Sequence, residues 1–356
     1  MKRLALFSLI ALTAVALSAC GARSTVISWP GLAADANNAY FANGSQVHAV
    51  RLSDGTQSWI YPDKVSTHAY ISNPVIAPDG RLLVGSAGTD NSITSLDPAT
   101  GKENWAAPLV ADSHWIASPL VVGDTLYAAN NNGSLYAADL ATGQIKWTLK
   151  LGNSLWSAPT SNGKLIFVAS LDHMLYAVDP ATQAVAWKVD LGGSSLGAAT
   201  VSADGSTVYA GSFGKKVAAI DAATGAVRWN AAAADWVWGA PAQDGDTLYA
   251  ADISGRVYSL GTTHGKNAWP DVRPDGPITA SPLMLPDGVL IATESGSIFA
   301  YDRTGVESWN LSIGGQIYTT PVATGDLILI APMKADFQLA AVNSTTHSIV
   351  WKFPLK

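Results

Sequence analysis

Ala137-x-Asp139-x-x-Thr142-Gly143-x-x-x-Trp147 decides the fold, because the phrase returns as Ala219, Asp221, Thr224, Gly225 and Trp229. With single departures it recurs as Ser95, Asp97, Thr100, Gly101, Trp105 and as Ala177, Asp179, Thr182, Gln183, Trp187. Its chemistry is local. An Asp or Thr oxygen accepts hydrogen bonds from the N–H groups of a tight turn. Gly takes the left-handed conformation at no steric cost, and the Trp is left to lie flat on a neighbouring unit with its N–H seeking a carbonyl. Working outward, tryptophans at this phase are Trp59, Trp105, Trp147, Trp187, Trp229, Trp269, Trp309 and Trp351. Their mean spacing of about 42 residues suits a four-stranded propeller blade and is too long for ankyrin or leucine-rich repeats.

Two further markers keep the same count. A proline precedes most of these tryptophans: Pro30, Pro74, Pro119, Pro159, Pro241, Pro282 and Pro321, with Ala199 in the fifth repeat. Turn pairs such as Asn162-Gly163, Asp204-Gly205, Asp244-Gly245 and Asp287-Gly288 follow, the residues that close short hairpins. Within a repeat, short runs of β-branched, aromatic and small residues alternate with turns, and no window has helical period. In the third repeat, strand A is expected over 118–122, B over 125–129, C over 134–138 and D over 144–149. The expectation is an all-β chain: one eight-bladed β-propeller of four-stranded antiparallel blades over residues 30–356.

The turn phrase resembles the tryptophan-docking motif of quinoprotein-type, PQQ-like propellers, over essentially all of that range. The resemblance weakens where Arg51, Gly261 and Asn343 replace the Asp, and where Asp302 to Gly305 is one residue short. Looser C–D turns are expected in those four blades.

Before the repeats, Lys2 and Arg3 lead an apolar run, Leu4 to Ala16, that is too short to span a bilayer. Leu17-Ser18-Ala19-Cys20 resembles the lipobox of bacterial lipoproteins. That resemblance implies a signal peptide over 1–19, lipidation at Cys20 and a short tether over 20–29. A plain secretory signal with an incidental Cys is the alternative.

Composition narrows the function. Of 356 residues, which by length alone suggest two domains, 13 % are charged and 48 % apolar, enough to exclude disorder. One Cys excludes a disulfide scaffold, and a net charge of −6 argues against nucleic acid as a partner. Thirteen tryptophans are present, so five stand outside the docking phase: Trp29, Trp115, Trp156, Trp236 and Trp238. All lie in D–A connections, with His68, Tyr70, His114 and Tyr318 in similar places. D–A and B–C loops share one face of a propeller, so these residues form either a binding platform at the channel mouth or packing within it.

Catalytic readings are weaker. Gly193-Ser194-Ser195-Leu196-Gly197 matches a nucleophile-elbow pattern but lies in an all-β loop, and the six histidines have no metal-ligand spacing. His68 and His114 could meet as a pair across adjacent blades. Quinoprotein dehydrogenases carry a vicinal Cys pair, a calcium set and a catalytic Asp; here only Cys20 exists, and Asp235 and Asp275 sit in no matching motif. No catalytic residue, metal or cofactor is therefore expected, with PQQ and calcium as the alternative.

Lipobox, short tether, repeats and missing catalytic set together are similar to the BamB family, lipoprotein scaffolds of the outer-membrane β-barrel assembly machinery. The resemblance implies a non-catalytic protein-interaction scaffold, monomeric within a complex, whose partners include a barrel-insertase subunit. It implies a lipid anchor at the periplasmic face of the outer membrane, or at the outer face of the cytoplasmic membrane where no outer membrane exists. The alternative function is a PQQ- or metal-dependent oxidoreductase, or a degenerate relative that binds a small ligand.

Overall fold

A unit of about forty residues has two apolar sheet faces and cannot bury them alone, so neighbouring units must cover each other. The computed structural model describes residues 29–64 and 66–354; the expected signal peptide, Cys20 and most of the tether lie outside them. Eight antiparallel sheets follow one another in sequence order, one per repeat. In the third blade, strand A is Leu120–Val122, B Thr125–Ala129, C Ser134–Asp139 and D Ile145–Lys150. The A strands of neighbouring blades lie side by side around the axis, B and C are buried, and D forms the half-exposed rim. Among the described residues there is no helix.

Docking runs from each blade to the next. The Trp59, Trp105, Trp187, Trp229 and Trp351 indole N–H groups donate to the carbonyls of Pro98, Leu140, Ala222, Thr262 and Leu52, at 2.8–3.1 Å. Beneath each ring is the turn glycine of the neighbour: Gly101, Gly143, Gly225, Gly265 and Gly55, with Gly305 under Trp269. A Cβ on any of these would stand 2.5–2.8 Å from the indole, so glycine is required for contact as well as for its positive φ. Two turns lack the glycine yet keep the backbone: Gln183 has φ 54° and His347 φ 53°. His347 uses its ring instead, stacking on Trp309 at 4.3 Å.

In six blades a β-bulge sits where the C-strand Ala faces the Trp, as between Ala137 and Ala138. The bulge sharpens the local twist and turns the indole toward the neighbour.

Three expectations need correction. The C–D turns lacking the Asp are not looser. Arg51, Gly261 and Asn343 close their turns with the same pair of backbone bonds as Asp139, all between 2.8 and 2.9 Å. Asp54, the ring of His264 and Asn343 itself supply the missing acceptor. Only the blade-seven turn differs, closing one residue earlier, and there the Trp269 indole N–H is buried without a partner. Second, Pro30 is not the strand-A proline of the first blade. Register places Leu32 at that position, and its N–H, which a proline would lack, donates to Asn73 Oδ1 at 3.0 Å. Third, the sixth blade has three strands; its fourth is reduced to isolated bridges, Leu260–Asn267 and Val257–Val272. Pro270 falls between those bridges, where a proline offers no ladder N–H.

Among the described residues no strand is exchanged between the first and last blades. Trp351 and Phe353 pack with Leu32, Phe41 and Val50, and the Thr319 and Thr324 hydroxyls donate to the Pro30 and Asp35 carbonyls. Trp351→Ala should therefore cost about 3–5 kcal/mol of stability, the usual range for a buried Trp. Exposed Trp236→Ala should stay within about 0.5 kcal/mol of the parent. Urea unfolding monitored by circular dichroism compares the two.

Candidate docking funnel

The connection entering each blade alternates its side chains, as any extended segment does. Four residues before the strand-A proline position, the side chain turns into the body: Tyr70, Trp115, Leu155, Ser195, Val237, Ile278 and Ile317 are all at most 1 % exposed. One residue later it turns to the axis. Trp29, Ile71, Ile116, Trp156, Leu196, Trp238, Thr279 and Tyr318, one from every blade, line a cavity of 430 Å³.

This parity divides the residues singled out from the sequence. Trp156, Trp238 and Tyr318 reach the funnel together with Trp29. Trp115 and Tyr70 do not. Trp115 donates to the Asn91 carbonyl at 2.8 Å and meets Tyr136 edge-on, while Tyr70 is buried with its hydroxyl unpartnered. Trp236 is exposed outside the funnel, stacked at 4.8 Å on Phe213. His114 is exposed, and its carbonyl accepts from the Asn131 N–H of the B–C turn. His68 stands 2.8 Å from Asp90, between the rings of Tyr61 and Tyr70. Burial pushes the Asp90 carboxyl up, but the His68 ring and the Ser92 and Ser86 hydroxyls outweigh it and bring it down to about 2.

Trp29, Trp238 and Tyr318 form an arc. Trp29 meets Trp238 edge-on at 5.6 Å and lies near-parallel to Tyr318 at 6.1 Å. Phe213 extends it, 5.1 Å from Trp238. Phe213 comes from a B–C turn, at the position that Leu171 and Ile253 hold in the adjacent blades, so residue type alone did not set it apart. The B–C turns are tied to the D–A connections by backbone bonds, as Phe213 N–H to the Ser194 carbonyl at 2.8 Å, so both loop classes form one face. Below the arc the wall is stitched blade to blade: Ala240 N–H to Ser281 Oγ, and Ser281 N–H to Thr320 Oγ1.

None of the lining residues is Asp, Glu, Lys, Arg or His. Among the described residues no three His, Cys, Asp or Glu side chains gather as a metal site. Ser195 is buried with its hydroxyl near the Gly197 carbonyl. Asp235 pairs with Lys215 at 3.1 Å, and Asp275 accepts from Thr293 at 2.6 Å.

A family model described as outer membrane protein assembly factor BamB matches residues 22–189, 89–231 and 171–352, successive overlapping runs of the repeats. The chain belongs to the BamB family. Individual members are distant. It is 26 % identical over 113 residues to the outer membrane protein assembly factor BamB of Nitrosomonas eutropha, covering 32 % of this chain and 27 % of that one. It is 38 % identical over 61 residues to BamB of Burkholderia pseudomallei, covering 17 % and 16 %. These matches thus span about a quarter and a sixth of the relatives' lengths. Among solved structures, BamB from Moraxella catarrhalis superposes with a TM-score of 0.70 at 16 % identity, over 87 % of this chain and 92 % of that one. The computationally designed Ika8 protein superposes at 0.74 with 14 % identity, over 90 % and 98 %. A designed ring matching as well as a natural BamB means the likeness carries the fold alone.

Asp90 supplies a pH test of the loop beside the funnel. Its folded pKa lies below the ordinary 3.8, so its contribution is complete above about pH 4 and is lost as pH falls toward 2. Asp90→Asn should be less stable than the parent at pH 7, and the difference should vanish near pH 2, as read from melting temperatures across that range.

Proposed function

We propose that this protein is a non-catalytic interaction scaffold in outer-membrane protein assembly, using the funnel face to hold partner polypeptides. Membership of a family of assembly factors supports the setting. The observation that carries the mechanism is the funnel itself: eight blades converge on a cavity with three indoles, a phenol and no ionisable lining side chain. Rigid aromatics give large contact area at low entropic cost, the composition of binding hot spots. Partners would be envelope proteins, a barrel-insertase subunit among them, and nucleic acid would not bind.

Lipidation of Cys20 would hold the ring at the membrane, on the periplasmic face of the outer membrane where the organism has one. Trp29 lies nine positions beyond Cys20 and lines the funnel, so the chain leaves the ring on its aromatic side. A fully extended tether of this length reaches about 30 Å.

PQQ is a poor fit to this cavity. It is a polycarboxylate that is held with calcium, and the lining offers neither a cation for its carboxylates nor a carboxylate for the metal. The protein would act as one copy within a complex.

Trp29, Trp156 and Trp238 changed together to Ala should abolish capture of envelope partners from native membranes while leaving the melting temperature within a few degrees of the parent. Unchanged capture by that folded variant would overturn the reading. Incubation with PQQ and Ca²⁺ should leave no cofactor on the purified protein; stoichiometric retention with dye reduction would favour the oxidoreductase.

A further inference from the structure

Below its aromatic rim the funnel wall is polar but uncharged. The residue just before the strand-A proline position lines the cavity, and in four blades it carries a hydrogen-bonding side chain: Asn73, Ser118, Ser281 and Thr320. At six of the eight seams a side chain takes up a backbone group of the adjoining blade. Asn73, Ser281 and Thr320 accept from the Leu32, Ala240 and Ser281 N–H groups, while Ser157, Thr200 and Thr319 donate to the Gly197, Pro241 and Pro30 carbonyls. Little free strand edge is left inside the cavity for a polypeptide to pair with.

Other polar groups on the wall stay open. Asn73 is exposed, and its amide NH2 has no partner among the described residues; neither have the Ser118 hydroxyl, the Trp238 N–H and the Tyr318 hydroxyl. Trp156, in the fourth blade, stands opposite Tyr318 of the eighth and apart from the arc. It is 37 % exposed, and among the described residues no ring or cation stacks on it. Its N–H is fixed to Asn131 Oδ1 at 2.8 Å, so the indole is held by one edge with its face open. A ligand suited to this wall is neutral, because a charge moved here from water would find no counter-charge. It presents C–H groups to the electron-rich face of an indole and hydroxyls to the open amide and hydroxyl groups. A pyranose does both, whereas an aliphatic side chain does only the first.

We propose that the funnel cavity binds a neutral pyranose unit of a glycan, its C–H face against Trp156 and its hydroxyls toward Ser118 and Asn73 of the third and second blades. The 430 Å³ of the cavity falls within the usual range of small-molecule sites, about 300–1,000 Å³. This goes beyond the docking reading: a polypeptide on the face and a sugar in the cavity are separate occupants with separate tests.

The methyl β-glycosides of glucose and N-acetylglucosamine serve as probes, followed at the indole N–H resonances of ¹⁵N-labelled protein. Glucitol, glucuronate and N-acetyl-phenylalanine amide are the comparators. A glycoside should shift the Trp156 signal in the millimolar range, and the tighter of the two separates a plain hexose glycan from an amino-sugar glycan. Glucitol has the hydroxyls without the rigid ring face and glucuronate adds a charge, so both should act only at far higher concentration. Ser118→Ala should weaken binding about fivefold, as loss of one hydrogen bond. Ala158→Leu, which fills the cavity wall and keeps every polar group, should abolish it, with melting temperatures confirming that both variants fold. Silence toward both glycosides, an equal response to glucitol or glucuronate, a response to the phenylalanine amide alone, or an unchanged Ser118→Ala titration would each overturn the proposal. If partner capture persists while both glycosides are silent, the scaffold stands and the sugar site falls. If a glycoside binds to protein that captures no partner, the sugar site stands and the scaffold falls.

Discussion

Each blade depends on its successor's turn for the burial of its largest side chain. A buried indole removes on the order of 150–250 Å² from water, about 4–6 kcal/mol at the usual coefficient before ordering entropy is subtracted. Six of the eight turns meet the indole with a flat, Cβ-free glycine at contact distance. The turn therefore keeps its left-handed residue even where glycine is absent, as at Gln183 and His347. The bulge beside each C-strand Ala serves the same contact from the other side. Because the interaction is directional, eight copies turn the chain in one sense until Trp351 lands on Gly55.

The inner wall follows from the outer one. With blades held at fixed rotation, the connection entering each blade has only two faces, one toward the inter-blade core and one toward the axis. A shift of one residue moves a side chain from packing to lining. Trp115 and Trp156 are the same residue type in the same loop class, yet one is sealed and the other lines the cavity. Their difference in role is a difference in phase. In the funnel wall, Asn73, Ser281 and Thr320 accept backbone N–H bonds that stitch adjacent blades.

Fold and blade number were legible in the sequence because docking is written into fixed types at fixed spacing. The sequence was less informative where types are interchangeable. The side-chain acceptor of the C–D turn can be Asn343 in place of Asp, or can come from Asp54 or the His264 ring three residues further on, so the missing Asp residues did not loosen their turns. Pro30 imitated a marker that register assigns to Leu32, two residues on. At the funnel, aromatic type and loop class were readable, whereas parity needed the register of strand A, so Tyr70 and Trp115 were grouped with residues facing the other way. Phe213 lies in a B–C turn, whose proximity to the aromatic arc follows only from the tertiary hydrogen bond that draws it inward.

Because the ring closes through side chains and not by lending a strand across the seam, the sequence repeat and the blade share the same boundaries. Every seam, including that between last and first, is then the same kind of joint. Insertion or loss of one whole repeat alters the circumference without orphaning a strand, and the break between the chain ends is topologically interchangeable with any other D–A connection. Such a ring has no privileged beginning. Its individuality resides in which blades carry aromatics at the axis.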